Sequence, residues 1–126
     1  MPDTEGGSKI LLVDDEEDVR IIASQMLKAM GYSVQTASDG FEGLEQFKVD
    51  PTSFSVILLD YSMPGMDGIE TMKELRKLRD DVPILFSTGF SDDQTMQEME
   101  AMHVDGVVQK PFMISELIDA IKKVLE

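Results

Sequence analysis

The chain alternates between two hydrophobic periods along almost its whole length, and this alternation is the feature that most limits the fold. Segments with the 3.6-residue spacing of helices separate short runs of aliphatic and β-branched residues. These short runs recur five times, at Lys9–Val13, Ser33–Ala37, Phe54–Leu59, Val82–Ser87 and Gly106–Val108. Strands that alternate with helices indicate a parallel sheet with helices on both faces. The sequence therefore predicts five βα units.

The helical pattern is clearest in the first and last of the intervening segments. Residues 19–30 carry apolar side chains at every third or fourth position and stop at Gly31, a residue type that commonly ends helices. Residues 114–125 repeat the same pattern. Three further segments are predicted to be helical, at Gly40–Lys48, Gly68–Leu78 and Asp92–Met102.

Five βα units commonly form an α/β fold with a doubly wound, flavodoxin-like sheet of strand order 2-1-3-4-5. Strands covered on both faces consist of continuous apolar residues, as "KILLV" and "SVILL" do here. Ligands of such folds bind at the carboxyl ends of the strands, near the switch between strands 1 and 3. We expect this domain to occupy residues 9–126, with residues 1–8 as a flexible lead.

Composition limits the classes of function that the chain can have. With 126 residues and 42% hydrophobic content, the chain can bury one substantial core. The formal net charge of −14 argues against a nucleic-acid partner, because such proteins cluster Lys and Arg. No apolar run approaches the length of a membrane span, and the absence of cysteine is typical of a cytoplasmic protein.

The first polar residues after the predicted strands form an unusual set. Strand 1 is followed by Asp14 and Asp15, strand 3 by Asp60, strand 4 by Thr88 and strand 5 by Lys110. The predicted strand order makes these residues neighbours. Gathered carboxylates repel one another unless a cation is present, and oxygen ligands without Cys or His favour Mg²⁺. With a hydroxyl and an ammonium beside them, they suit phosphoryl transfer to an aspartate.

Each of these residues also has a simpler explanation when it is considered alone. The acidic run that begins at Asp14 is a common helix start, because carboxylates are stabilised at helix N-termini. An aspartate before a turn is often a cap, and its position alone would assign Asp60 that role. The functional interpretation depends on four strand ends carrying such residues together.

Four motifs make the chain similar to response-regulator receiver domains from about Lys9 to Glu126. They are "LLVDDEED", "VILLDYSMPGMDG", "ILFSTG" and "VVQKPF", in the order and spacing of that family. The resemblance implies that Asp60 accepts a phosphoryl group from a histidine kinase or a phosphotransfer protein. It also implies that the domain assists its own phosphorylation and dephosphorylation, and that a downstream protein target recognises the phosphorylated surface.

The resemblance further implies a metal site with a defined ligand set. Asp15, Asp60 and the backbone carbonyl of Ser62 are expected to hold Mg²⁺ together with water, and Asp14 is expected to assist them. No other cofactor is implied.

The resemblance also implies roles for Lys110 and Thr88 next to the phosphoryl group. Two other positions differ from the usual residues of the family. Lys110 is expected to contact the phosphoryl group, with a cis bond to Pro111, and Thr88 is expected to move towards it as the switch hydroxyl. Val107 stands where the family commonly carries an aromatic residue coupled to that hydroxyl, and Gly89 stands where alanine is usual. We therefore expect weak coupling between Thr88 and the fifth strand.

Four alternatives remain open on sequence alone. A flavodoxin-type cofactor binder shares the topology, but an acidic loop after strand 1 would repel its phosphate. Phosphatases with an aspartyl nucleophile usually place a second acid two residues later, where this chain has Ser62. The chain could also be an interaction module that works without phosphorylation, or the receiver segment of a hybrid sensor kinase.

Overall fold

A computed structural model describes residues 8–63, 65–89, 97, 101 and 104–125 of the chain. Five parallel strands form one sheet in the order β2-β1-β3-β4-β5, which confirms the predicted doubly wound topology. The strands are β1 Lys9–Val13, β2 Ser33–Ala37, β3 Val56–Asp60, β4 Ile84–Thr88 and β5 Gly106–Gln109. The α-helices among the described residues are α1 Glu17–Ala29, α2 Gly40–Val49, α3 Gly68–Leu78 and α4 Ile114–Leu125.

The central strands divide their side chains between two hydrophobic clusters, one on each face of the sheet. Leu11 of β1 belongs to the cluster that contains Phe47 of α2 and several residues of α3. The next residue, Leu12, belongs to the opposite cluster, which contains Leu27 of α1 and several residues of α4. All residues of β3 and β4 are buried, as the continuous apolar runs predicted.

Two strands lie further along the chain than the sequence indicated. The run predicted at Phe54–Leu59 is a strand only from Val56 to Asp60, and the run predicted at Val82–Ser87 is a strand from Ile84 to Thr88. A 3₁₀ turn precedes the first of these strands. Pro83 precedes the second and has no N–H to donate to a sheet. The hydrophobic residues before both strands are nevertheless buried, so hydrophobicity alone placed the strand starts too early.

Smaller differences affect three other elements. The fifth strand extends one residue further than predicted, to Gln109, and α2 extends to Val49. The first helix ends at Ala29 rather than at Met30. Asp60 and Thr88, expected just after their strands, are instead the last residues of β3 and β4.

Two predictions lie largely outside the described residues. Of the helix predicted at Asp92–Met102, only Gln97 and Ala101 are described, and both have helical conformation. Residues 1–7 of the predicted lead are not described, and the boundary after residue 8 stays a prediction. No helix in the described part of the chain is long and apolar enough to cross a membrane.

Candidate functional site

Asp60 stands at the end of a strand whose backbone is fixed on several sides. The next residue, Tyr61, donates its N–H to the carbonyl of Ser87 at 2.8 Å, so pairing with β4 continues just past the aspartate. The loop then returns, and Gly68 donates its N–H to the Tyr61 carbonyl at 3.0 Å. A side chain at Gly68 would place Cβ 2.6 Å from the Asp60 carbonyl oxygen, so the chain needs glycine there.

The two aspartates after β1 differ in their exposure. Asp14 is 1% exposed and donates its N–H to the carbonyl of Ala37, whereas Asp15 is exposed. Arg20 of α1 donates from Nη1 to the Asp14 carbonyl at 2.7 Å, which fixes the connection between strand and helix. The chain therefore presents one buried and one exposed carboxylate at the same strand end.

The three carboxylates predicted to face one another do so. Oxygen atoms of Asp14, Asp15 and Asp60 lie within 4.8 Å of one another. The ammonium of Lys110 lies 2.8 Å from Asp14 Oδ2 and 3.4 Å from Asp60 Oδ2. It also lies 3.0 Å from Oε1 of Glu16, a residue that the sequence analysis did not single out. Three carboxylates, those of Asp14, Glu16 and Asp60, thus share the Lys110 ammonium.

Burial and charge shift the pKa values of Asp60 and Lys110 in ways that suit this arrangement. Burial, followed by repulsion from Asp14, raises the pKa of Asp60 to about 7, although Lys110 acts in the opposite direction. Burial disfavours the charged form of Lys110, but the carboxylates of Asp14, Glu16 and Asp60 outweigh this and raise its pKa above its usual range. Lys110 therefore stays charged, and further positive charge near Asp60 would favour its ionised form.

The donor atoms of the cluster fit a magnesium ion. They are carboxylate oxygens, which Mg²⁺ prefers, and the cluster contains neither His nor Cys. Asp14 Oδ2 is buried and faces Lys110 without an aligned hydrogen bond, so it retains capacity for a cation. The Ser62 N–H lies 3.4 Å from Asp60 Oδ1, which brings the Ser62 backbone to the rim of the cluster. The Ser62 carbonyl as a ligand stays a prediction.

Thr88 and Lys110 meet through the backbone at the ends of β4 and β5. Lys110 donates its N–H to the Thr88 carbonyl at 2.8 Å, and the bond from Lys110 to Pro111 is cis, as the resemblance implied. Thr88 is 2% exposed. A Cβ on the exposed Gly89 would meet no described residue within 4 Å, and the partly buried Val107 packs against a core cluster. The switch role of Thr88 and its weak coupling to Val107 stay predictions.

Two residues that shape the site were not predicted from the sequence. Glu16 was regarded only as part of an acidic helix start, although it contacts Lys110. Its signal was its position directly before a helix, where Ser, Thr, Asp or Asn is usual. Gly68 was regarded only as a helix start, and no local signal distinguished it, because its constraint comes from the Asp60 carbonyl.

Comparison with known proteins agrees with this geometry. The family model of the response regulator receiver domain matches residues 10–122. The chain belongs to the response-regulator receiver family. Receiver domains act in two-component and phosphorelay signalling, where they interact with kinases, phosphotransfer proteins and downstream targets. The family assignment and the fold were thus both predicted correctly, and neither the flavodoxin-type nor the phosphatase alternative is supported.

Individual relatives cover nearly the whole chain. Sporulation initiation phosphotransferase F of Bacillus subtilis is 32% identical over 93% of this chain and 93% of its own length. The structure of chemotaxis protein CheY4 of Vibrio cholerae has a TM-score of 0.87 at 35% identity and covers 94% of this chain and 98% of its own. The response regulator TrrA of Thermotoga maritima, solved in complex with Mg²⁺-BeF, has a TM-score of 0.83 at 32% identity and covers 94% and 99%.

Other relatives of this receiver domain are much longer. The chain spans 50% of a transcriptional regulatory protein from Haemophilus influenzae, at 37% identity. It spans only 13% of a sensor kinase from Brucella abortus, at 33% identity over 98% of the present chain. The same domain therefore occurs in these relatives joined to other segments.

Proposed function

We propose that this receiver domain is a phosphoacceptor and that Asp60 takes a phosphoryl group from the phosphohistidine of a kinase or phosphotransfer protein. One observation carries the proposal. Asp60 is a buried carboxylate at a rigid strand end, with Lys110 at 3.4 Å and two further carboxylates within 4.8 Å. Such a cluster is unfavourable for stability alone, because like charges repel in a poorly solvated place.

The transfer requires an ionised Asp60 and a stabilised phosphoryl group. An Asp60 Oδ atom forms a bond to phosphorus while the bond between phosphorus and the imidazole nitrogen of the donor breaks. The electron pair of the broken bond stays with the imidazole. Lys110 stabilises the ionised Asp60 before transfer and pairs with a phosphoryl oxygen after it. Thr88 donates its hydroxyl hydrogen to another phosphoryl oxygen.

Asp14, Asp15, Asp60 and the backbone carbonyl of Ser62 would hold Mg²⁺ in this site. When bound, the ion supplies positive charge that offsets the clustered carboxylates and the phosphoryl oxygens. The Thermotoga maritima relative, solved in complex with Mg²⁺-BeF, supports this assignment. Lys110 alone cannot neutralise the cluster, since it is shared among Asp14, Glu16 and Asp60.

The protein donor is proposed to dock beside the site on an apolar groove. The groove opens next to Lys110, has a volume of about 380 Å³ and is lined mainly by apolar residues of α1 and of the segment after β5, among them Val19, Ile22, Met26 and Phe112. Ile22 is 52% exposed, a large fraction for an isoleucine on a short helix. An apolar helix of the donor protein that covers this groove would bring its phosphohistidine to Asp60.

The proposal is tested by phosphorylation with acetyl phosphate and Mg²⁺, followed by intact-mass measurement and peptide mapping. We expect one phosphoryl group on Asp60 and none on Asp60→Asn. Asp119→Asn, an exposed site on α4, makes the same charge change away from the cluster and should be labelled like the parent. Equal labelling of Asp60→Asn would refute the assignment. A parent that takes no phosphoryl group would favour the module that works without phosphorylation.

The chain as the receiver segment of a hybrid kinase is a second candidate. It is favoured by the 33% identity between 98% of this chain and one part of the Brucella abortus sensor kinase. In that case the phosphohistidine would lie in the same polypeptide. Sequencing the reading frame on both sides of these residues tests this, because a hybrid kinase would encode a kinase core in frame with the receiver.

A further inference from the structure

Glu16 occupies a helix position for which its side chain is poorly suited. It is the N-cap residue of α1, with φ −91° and ψ 116°, yet its side chain makes no capping hydrogen bond. Ser, Thr, Asp and Asn are preferred at N-caps because a short side chain reaches the free N–H groups of the first turn. The Glu16 carboxylate instead turns to Lys110, with Oε1 at 3.0 Å from Nζ. The contact with Lys110, and not capping of the helix, therefore accounts for a glutamate at this position.

The backbone holds the Glu16 carboxylate in place above the ammonium. The Glu16 N–H donates to Asp14 Oδ1 at 2.9 Å, and Arg20 donates to the Asp14 carbonyl at 2.7 Å. The side chain of Glu16 is 60% exposed, whereas that of Lys110 is 13% exposed. Glu16 thus lies on the solvent side of Lys110, and Asp14 and Asp60 lie on its buried side.

The three distances around Lys110 rank its partners. The ammonium lies 2.8 Å from Asp14 and 3.0 Å from Glu16, but 3.4 Å from Asp60. In the proposed phosphoryl transfer Lys110 stabilises the charge on Asp60. Of the three carboxylates, however, that of Asp60 is the most distant from the Lys110 ammonium. The exposed carboxylate of Glu16 thus competes with Asp60 for the Lys110 ammonium.

We propose that Glu16 is a positioning residue that draws the Lys110 ammonium towards solvent and so weakens its pairing with Asp60 until a phosphoryl group arrives. The inference rests on the proposed function, since it concerns the rate of that same transfer. A phosphoryl group carries more negative charge than one carboxylate and draws Lys110 from Glu16. Glu16 therefore acts as a brake on phosphorylation, because Lys110 must exchange its ion pair with Glu16 for one with the phosphoryl group during transfer.

Three variants distinguish the effect of the contact between Glu16 and Lys110 from a general effect of negative charge. Glu16→Gln removes the charge and the ion pair. Glu16→Asp keeps the charge but is shorter by one methylene, which withdraws the carboxylate from Lys110. Glu17→Gln removes the same charge at the next, exposed position, which has no contact with Lys110 among the described residues.

The first measurement is the rate of Asp60 phosphorylation by acetyl phosphate and Mg²⁺ as a function of donor concentration. We expect both Glu16 variants to react faster than the parent by up to about fivefold, the range that a partly exposed ion pair supports. Glu17→Gln should differ from the parent by less than about twofold. Glu16 variants that react at or below the parental rate would overturn the proposal, as would equal acceleration in Glu17→Gln.

The second measurement is the NMR signal of the Lys110 side chain without donor or Mg²⁺. Both Glu16 variants should shift the Lys110 signals, and Glu17→Gln should leave them unchanged. Unshifted Lys110 signals in Glu16→Gln would refute the contact itself. Because no phosphoryl group is involved, this readout tests the contact even if Asp60 accepts none, so a failure of the proposed function and a failure of the inference are distinguishable.

Discussion

The two ends of the sheet differ in how their charged side chains are paired. At the amino ends of the strands, charged side chains bond to the backbone or to opposite charges: Arg79 donates to the Phe54 carbonyl at 2.7 Å, and Asp105 accepts from the Ile84 N–H at 2.8 Å. At the carboxyl ends, several carboxylates share the single ammonium of Lys110. Arg79 and Asp105 thus have partners at the amino end, whereas carboxylates outnumber the ammonium at the carboxyl end.

This difference separates stability from function within one small domain. Polar groups that have partners at the amino end stabilise the sheet, because a buried group without a partner is costly. At the carboxyl end, burial and then repulsion from Asp14 raise the pKa of Asp60 to about 7, and the excess of carboxylates favours cation binding. Substitutions at the two ends should therefore change different properties.

The largest expected effect is the loss of phosphorylation in Asp15→Asn. Asp15 is an exposed member of the carboxylate cluster, so its replacement should remove a metal ligand but change the free energy of unfolding by no more than about 0.5 kcal/mol. Asp81→Asn, an exposed aspartate at the amino end, is the matched control and should be phosphorylated like the parent. Acetyl phosphate labelling and Mg²⁺ titration measure both variants; a normal titration by Asp15→Asn would place the metal elsewhere.

The next effect is a dependence of stability on pH that comes from Asp60. Its pKa is about 7 in the folded protein and about 4 in an unfolded chain, so the folded state binds more protons between these values. Stability should therefore fall as the pH rises from about 4 to about 7 and level off above that. Asp60→Asn lacks this component and should exceed the parent at pH 8 by up to a few kcal/mol, since one pKa unit corresponds to about 1.4 kcal/mol.

Urea unfolding in a chelator, from pH 5 to pH 8, measures this dependence. Addition of Mg²⁺ at pH 8 should stabilise the parent and leave Asp60→Asn almost unchanged, because bound cations favour the ionised carboxylate. If the free energy of unfolding depended on pH in the same way in the parent and in Asp60→Asn, ionisation of Asp60 would not destabilise the fold.

A smaller effect is expected from Asp105→Ala at the amino end. The substitution leaves the Ile84 N–H without its acceptor and removes the partner of Arg76 at 3.0 Å, which should cost about 1–3 kcal/mol. Asp105→Asn keeps an acceptor for the Ile84 N–H and should lose less. Phosphorylation of both should match the parent. A slower reaction in Asp105→Ala, at a temperature where it is fully folded, would contradict the separation of the two ends.

The smallest effect is expected at Asp67, an acidic residue near the carboxyl ends of the strands that lies outside the carboxylate cluster. Asp67 and Glu70 form a capping box at the start of α3, so Asp67→Ala should cost about 1 kcal/mol and leave phosphorylation within about twofold of the parent. Glu16→Ala, at the corresponding position of α1, loses no capping bond and should cost less. Thermal unfolding measures the loss of stability in the two variants. An equal loss in Glu16→Ala and Asp67→Ala would show that Glu16 also stabilises its helix.

Much of the fold could be predicted, but the exposure of part of the apolar face of α1 and the starts of β3 and β4 could not. The apolar spacing of α1 marked Ile22 and Met30 as part of its inner face, yet they are 52% and 45% exposed. Periodicity shows which side of a helix is apolar, but it does not show whether the rest of the chain covers that side. Similarly, the buried residues before β3 and β4 resemble strand residues in sequence because burial does not depend on backbone pairing.

The sequence by itself determined the order of the elements, the parallel sheet, and the residue types at the carboxyl ends of its strands. These follow from patterns within a few residues, because hydrophobic period and turn residues act locally. Only the tertiary structure decided how the single ammonium of Lys110 is shared. Glu16 and Lys110 are 94 positions apart in the chain yet 3.0 Å apart in space. Electrostatic interactions depend on distance and burial, and both arise only when the sheet brings its strand ends together.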